Sequence, residues 1–238
     1  MNVKDTIGLL KSEKASALMA ELYGREGAAE NETRYEKVLT GFEQTFGDRE
    51  NILLFSSPGR TEISGNHTDH NHGKVLAGSI NLDCVGAAAV NYSNLVHIIS
   101  ETYDQDITID LNQLEPSAKK AGTTDLIKGL LKGFKEAGYS IGGFDAYITS
   151  NVISAAGVSS SAAYEMLICS MLNTFFNGGK MDVVTYSHIG KYSENHFWNK
   201  ASGLLDQMAC AVGGLITIDF FEPQTPVVEK IAFDFSSQ

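Results

Sequence analysis

Ala156-Gly157-Val158-Ser159-Ser160-Ser161-Ala162-Ala163 is the stretch on which the reading of this chain turns. It is a run of small residues leading into an apolar, helix-favouring segment, Ala162 to Phe176. Glycine lets the backbone come close to an anion, and amides at a helix start, with serine hydroxyls beside them, suit phosphate oxygens. Taken alone the stretch reads equally as a serine-capped helix start. No Gly-Lys-Ser/Thr follows, so it is not a Walker loop.

Upstream, Asn51 to Ser56 is a short apolar run that reads as a buried strand ended by Pro58-Gly59. Directly after it comes Gly59-Arg60-Thr61-Glu62-Ile63-Ser64-Gly65-Asn66-His67-Thr68-Asp69-His70-Asn71-His72-Gly73. Arg, His, Asp and Asn set between turn-forming glycines suit a grip on a small polyol, and sites gather in such loops. His67, Asp69, His70, Asn71 and His72 also suggest a metal cluster. That reading is the weaker one, because no second ligand group accompanies them and Asn and Thr are poor zinc partners. Downstream, Asp206 stands in Ser202-Gly203-Leu204-Leu205-Asp206-Gln207-Met208, at a helix start. An acidic residue there is favoured by the helix dipole; it is also what a reacting hydroxyl needs beside it, with Arg60 as the attendant cation. A polyol grip and a phosphate cradle in one chain imply small-molecule phosphoryl transfer.

Hydrophobic periodicity supplies the frame. Val3 to Tyr23 reads as an amphipathic helix with Ile7, Leu10, Leu18 and Leu22 on one face, followed by a Gly/Glu/Asn-rich break from Gly24 to Thr33. Tyr35 to Phe46 reads as a second helix, with Tyr35, Val38, Leu39, Phe42 and Phe46 at helical spacing. Strands are expected over Val75 to Tyr92 and Val96 to Glu101, and a helix over Asp125 to Ala137 with Leu126, Ile127, Leu130, Leu131 and Phe134 inward. Phe144 to Ser150 reads as a strand, Met181 to Phe197 and Gly203 to Val212 as helices, and Gly214 to Phe221 and Val227 to Phe235 as strands. Strands and helices mix without regular alternation, which implies an α+β fold.

The 238 residues, 43% hydrophobic and 20% charged, can bury a real core. A net charge of -11 argues against nucleic acid as a partner, since phosphate-backbone binding leans on a basic surface. Cys84, Cys169 and Cys210 form no C-x-x-C and read as reduced, buried thiols, as in a cytoplasmic protein. No apolar run approaches the ~20 residues of a membrane span, and no secretory leader is visible.

In this order the three segments resemble the GHMP small-molecule kinases, and among them the galactokinases. Their sugar signature, approximately G-R-x-N-L-I-G-E-H-T-D-Y-N-x-G, is matched by Gly59 to Gly73, their G-L-S-S-S-A motif by Gly157 to Ala162, and their G-x-M-D-Q by Gly203 to Gln207. The likeness runs from about Tyr35 onward. It implies a GHMP-kinase N-terminal domain, a mixed sheet packed with helices, similar to the second domain of ribosomal protein S5. Residues 1–34 would be a helical extension and 35–238 that domain, with the C-terminal GHMP domain largely absent.

By the same resemblance the activity is ATP-dependent phosphorylation of galactose at its C1 hydroxyl, with Mg²⁺. Asp206 would orient or deprotonate that hydroxyl and Arg60 would pair with it. Asn66, His67, Asp69 and Gly203 would meet the sugar. Gly157, Val158, Ser159, Ser160, Ser161 and Ala162 would cradle the triphosphate, and Ser161 and Glu194 would hold Mg²⁺. Tyr103 is a candidate aromatic for adenine, with core packing as its other role. Three departures stand out: Asn66 replaces the usual Glu, Glu62 the usual Asn, and Ile153-Ser154-Ala155 the usual Pro-x-Gly. Asn66 opens the alternative of a related sugar such as N-acetylgalactosamine, and a sugar and nucleotide sensor on the same scaffold is a second alternative.

Overall fold

Asn2 accepts a hydrogen bond from the Asp5 amide at 2.9 Å and so caps helix α1, Val3–Leu10. Ser12 does the same for Ala15 at 3.3 Å and opens α2, Glu13–Phe46. These two caps belong to a computed structural model of the protein that describes residues 1–117, 122–154 and 156–233. The single helix expected over Val3 to Tyr23 is therefore interrupted at Lys11 and Ser12. The restart resets the helical phase: Met19 and Tyr23 turn inward, while Leu18 and Leu22 stay exposed. The break expected from Gly24 to Thr33 is narrower than its composition suggests. Within α2 only Gly24 is non-helical, at φ 75°, ψ 162°. Glu26, Ala28, Ala29 and Glu30 then carry the helix onward, as good helix formers do.

Internal contacts divide the chain into two units. The first comprises Met1–Ser56, Val85–Gln113 and Gly142–Ser150. Its core joins Val3, Tyr23, Val38, Leu39 and Phe42 to Val85, Ala87 and Ala89 of strand β2, Lys74–Val90. β3 (Leu95–Ser100) pairs antiparallel with β4 (Gln105–Asp110) and parallel with β5 (Phe144–Ser150), Val96 lying opposite Phe144. The sheet is thus mixed. Strand β4 was not among the expected strands, although Asp106-Ile107-Thr108-Ile109-Asp110 alternates and buries Ile107 and Ile109. Tyr103 is 39% exposed in a 3₁₀ turn and is not packed into the core.

The second unit comprises Ser57–Cys84, Leu114–Ile141 and Asn151–Gln238. The first half of β2 pairs antiparallel with β6 (Leu215–Asp219), and β6 with β7 (Val227–Ile231). The strand expected to reach Phe235 is described to Ile231, Asp234 and Phe235 lying outside the described residues, as does Ala155. Against β2 and β6, the residues Leu204, Leu205, Met208 and Ala209 close a core with Val75, Ala77, Ile216 and Ile218. Helices α3 (Thr123–Glu136), α4 (Ser160–Asn177), α5 (Val183–His196) and α6 (Leu205–Val212) complete the unit. α3 buries Leu126, Ile127, Leu130, Leu131 and Phe134 as its period requires, each worth about 1.5–3 kcal/mol against exposure.

The strand ahead of the polyol segment does not stop at Pro58-Gly59. β1 runs Leu53–Ser64 and pairs with β2. Proline costs no ladder bond on a side that needs no donor. The three cysteines are buried and free. Among the described residues no helix is long and apolar enough to cross a membrane.

Candidate active site

Extended backbone carries Arg60 past the phosphate-loop segment. Its amide donates to the Val158 carbonyl at 3.1 Å, fixing β1 against that loop. The side chain is buried and has three partners. Nε and Nη2 donate to Asp206 Oδ1 at 2.8 and 2.6 Å, Nη1 donates to the Gly157 carbonyl at 2.9 Å, and Nη2 lies 3.4 Å from His67 Nε2. A planar guanidinium presents its donors in a fixed fork, so Nε and Nη2 can meet one carboxylate oxygen while Nη1 serves a carbonyl. Both contacts to Asp206 fall on Oδ1, so Oδ2 is not engaged by Arg60.

Asp206 sits in the first turn of α6, and the start of that helix is held from a distance. Asp69, buried in the 3₁₀ turn Thr68–Asn71, accepts from the Leu204 amide at 2.7 Å and the Leu205 amide at 3.2 Å, both through Oδ2. It therefore does the work of an N-cap for a helix that has no side-chain cap of its own. Gly203 makes this possible, because a Cβ there would overlap the Asp69 carboxylate. Asp69 Oδ1 lies 3.4 Å from His70 Nδ1. Asn66 and His67 both take the left-handed conformation, φ 49° and 51°, and Glu62 steadies the turn by accepting from the His67 amide at 2.8 Å. Asn66 is exposed. A cleft of about 280 Å³ is lined by His67, Asp69, Lys200, Ser202, Gly203 and Asp206, among others.

The phosphate-loop segment ends with Ser159 at φ 60°, ψ 52°, after Gly157 at φ 76°. α4 then begins with no side-chain cap, so its first amides are not taken up by a serine, and the reading as a serine-capped start fails. Among the described residues the Ser159 hydroxyl is buried without a partner. In the first turn of α4, Ser161 Oγ donates to Glu194 Oε1 at 2.8 Å. Glu194, fully buried on α5, also accepts from Lys200 Nζ at 2.6 Å on Oε1 and from Gln207 Nε2 at 3.1 Å on Oε2. Burial works to raise the Glu194 carboxyl, but hydrogen bonds from Lys200, Ser202 and Ser161 and the Lys200 charge hold it below the usual range. Gln207 Nε2 bonds the neighbouring Glu165 at 3.1 Å as well. Burial, and then the negative Glu194, push Glu165 well above the usual carboxylate range.

The donor set at Ser161 and Glu194 is two oxygens, which suits a hard cation that completes its shell with phosphates and water. Among the described residues no group of three or more His, Cys, Asp or Glu is arranged for a metal ion. The histidine-rich turn at 67–72 holds no such group. The site thus brings together Arg60, His67, Asp69, Gly203 and Asp206, and separately Ser161 and Glu194. Sequence reasoning missed Lys200. Its signal was there, as the one cation in the stretch from Glu194 to Asp206.

Comparison with known proteins bears on the segments that carry these residues. Residues 40–90 match the galactokinase galactose-binding signature, and residues 125–214 match the N-terminal domain of GHMP kinases. A galactokinase of Streptococcus mutans is 35% identical over 202 residues, 84% of this chain and 51% of the relative. One of Pyrococcus furiosus is 34% identical over 181 residues, 76% of this chain and 50% of the relative. The crystal structure of Lactococcus lactis galactokinase complexed with galactose superposes with a TM-score of 0.73 at 29% identity, covering 81% of this chain and 50% of the other. Methanococcus jannaschii mevalonate kinase shares the fold, at a TM-score of 0.61 and 14% identity, over 79% of this chain and 58% of the other. The chain spans about half the length of the curated relatives it matches. With the two signatures in order and the fold shared, this chain belongs to the GHMP kinases, in their galactokinase branch, and corresponds to the N-terminal portion of those proteins.

Proposed function

We propose that this chain forms the sugar- and ATP-binding portion of a kinase that transfers the γ-phosphoryl group of ATP to the C1 hydroxyl of galactose. The observation that carries the reading is the Arg60–Asp206 pair at the edge of a cleft shared with His67, Asp69 and Gly203. The C1 oxygen attacks the γ-phosphorus, the bond to the β,γ-bridging oxygen breaks, the hydroxyl proton passes to Asp206 Oδ2, and ADP leaves. Arg60 turns Oδ2 toward the hydroxyl by holding Oδ1, and its charge offsets that building on the phosphoryl oxygens. His67, Asn66, Gly203 and the Oδ1 atom of Asp69 meet the sugar hydroxyls.

The amides and hydroxyls of Gly157, Val158, Ser159, Ser160, Ser161 and Ala162 receive the triphosphate at the uncapped start of α4. Mg²⁺, held by Ser161 and Glu194 with the phosphates, would supply charge neutralisation. Both family signatures lie beyond residue 34, which supports 1–34 as an N-terminal extension of the kinase domain. Three buried free thiols support a cytoplasmic setting.

The test is ADP formation by the 238-residue chain with Mg²⁺ATP and a panel of hexoses that includes N-acetylgalactosamine. Galactose-dependent turnover is expected, falling about 10²-fold or more in Asp206→Asn. Full rate in Asp206→Asn would overturn the role given to Asp206. Preference for another hexose would replace galactose, and saturable binding of galactose and ATP without turnover in a protein of the relatives' full length would point to sensing instead.

A further inference from the structure

Glu194 is a carboxylate with no exposure, and a buried charge of that kind needs a partner. Its partner is Lys200, delivered by the way α5 ends. After Phe197 and Trp198 turn back onto the Ser193 carbonyl, Asn199 takes the left-handed conformation, φ 52°. The Lys200 amide then returns to the Glu194 carbonyl at 2.9 Å. That closing turn sets the Lys200 side chain over the Glu194 carboxylate of the same turn. Nζ reaches Glu194 Oε1 at 2.6 Å and Ser161 Oγ at 3.1 Å. Ser161 and Glu194 are themselves bonded at 2.8 Å, so the ammonium completes a triangle on the two side chains read above as the partners of the divalent cation.

We propose that Lys200 is a resident cation of this site, and that its ammonium and a divalent metal ion occupy the Ser161–Glu194 pair in mutual exclusion. The inference rests on the reading of that pair as the cation's partners. A divalent ion taking both oxygens needs the lone pairs that the ammonium and the serine hydroxyl now use. Two cations sharing one carboxylate oxygen also repel strongly where water is scarce. Lys200 has somewhere to go. Its side chain is 45% exposed, and Nζ lies 5.8 Å from the ring centre of Trp198, within cation–π range. Without metal the ammonium keeps the buried carboxylate paired; with metal it is released toward solvent and away from Glu194. The site therefore binds a divalent ion more weakly than the same two oxygens would without Lys200.

Trp198 is the only tryptophan of the chain, so the exchange has its own reporter. Mn²⁺ is titrated into the protein alone, without nucleotide or sugar, and followed by electron paramagnetic resonance of free Mn²⁺ and by Trp198 emission. Lys200→Met is expected to bind Mn²⁺ at least tenfold more tightly than the unmodified chain, and Lys200→Arg to remain as weak. Mn²⁺ should shift Trp198 emission in the unmodified chain and not in Lys200→Met, where no ammonium moves beside the ring. Thermal unfolding adds an independent readout. Lys200→Met loses stability without metal and regains it with Mn²⁺, because a ligand of the folded state alone stabilises by mass action. Equal Mn²⁺ affinity in the unmodified chain and Lys200→Met, with binding lost on Glu194→Gln, overturns the role of Lys200 and leaves the cation reading of the pair standing. Mn²⁺ binding indifferent to Glu194→Gln overturns both.

Discussion

Replacing Gly203 by Ala tests how the start of α6 is held. Gly203 does not have a positive φ, so its backbone conformation is open to alanine. By itself, Gly→Ala at such a position stabilises by about 0.4–1 kcal/mol through the unfolded chain. The three atoms nearest the added Cβ all belong to the Asp69 carboxylate, which it would overlap. Asp69 must then withdraw from the Leu204 and Leu205 amides, which it now meets at 2.7 and 3.2 Å. A hydrogen bond to a charged group contributes about 1.5–3 kcal/mol, and the longer of the two sits at the lower end. Gly203→Ala is therefore expected to cost about 3 kcal/mol in urea unfolding, or roughly 6–12 °C in Tm for a chain of this size. Asp69→Ala should cost a similar amount by losing the same two bonds. In the Asp69→Ala background the overlap is gone, so adding Gly203→Ala should be neutral or stabilising by about 0.5 kcal/mol. The reasoning is refuted if Gly203→Ala costs the same in both backgrounds.

Ser159→Gly removes a left-handed non-glycine residue and a buried hydroxyl without a partner, so it should stabilise the chain by about 1 kcal/mol. A lowered urea midpoint would contradict this. Asp182 caps α5, accepting from the Thr185 amide at 2.9 Å and its hydroxyl at 2.6 Å, and the Thr185 hydroxyl chiefly holds the carboxyl below its usual 3.8. A carboxyl lowered on folding stabilises above its unfolded pKa and loses that stabilisation as pH falls through its folded one. Asp182→Ala should thus cost about 1 kcal/mol at pH 7, with the gap narrowing as pH falls below the usual 3.8; a gap constant with pH would count against it.

What the sequence made legible follows how local each signal is. The inward face of α3 could be read residue by residue, because a 3.6-residue period depends on nothing outside the helix. The face of the N-terminal helix could not, because a cap at Ser12 shifted the phase and exchanged Leu18 and Leu22 for Met19 and Tyr23. Proline and glycine at 58–59 look like a terminator in any local window, yet β1 continues because it pairs with β2, a partner no such window contains. In the site, Arg60, Asp206 and Ser161 were visible as motif residues, since their residue types carry the chemistry. Asp69 was visible as a polar ligand, but its engagement with the α6 amides was not. Lys200 was visible as a cation between Glu194 and Asp206, but its contact with Ser161, 39 residues away on α4, was not.

The span of the contacts around Arg60 bears on the order in which the chain can assemble. Arg60 and Asp206 are 146 residues apart, whereas Ser161 and Glu194 are separated by 33. Closing the longer loop costs about 1.3 kcal/mol more in chain entropy, from the logarithm of the ratio of lengths. Helical neighbours α4 and α5 can thus bring their hydroxyl and carboxylate together while strand β1 is still searching for α6. Contacts of long range form late and are the first to be lost when a unit opens. The guanidinium–carboxylate pair is in this sense the closing clasp of its unit.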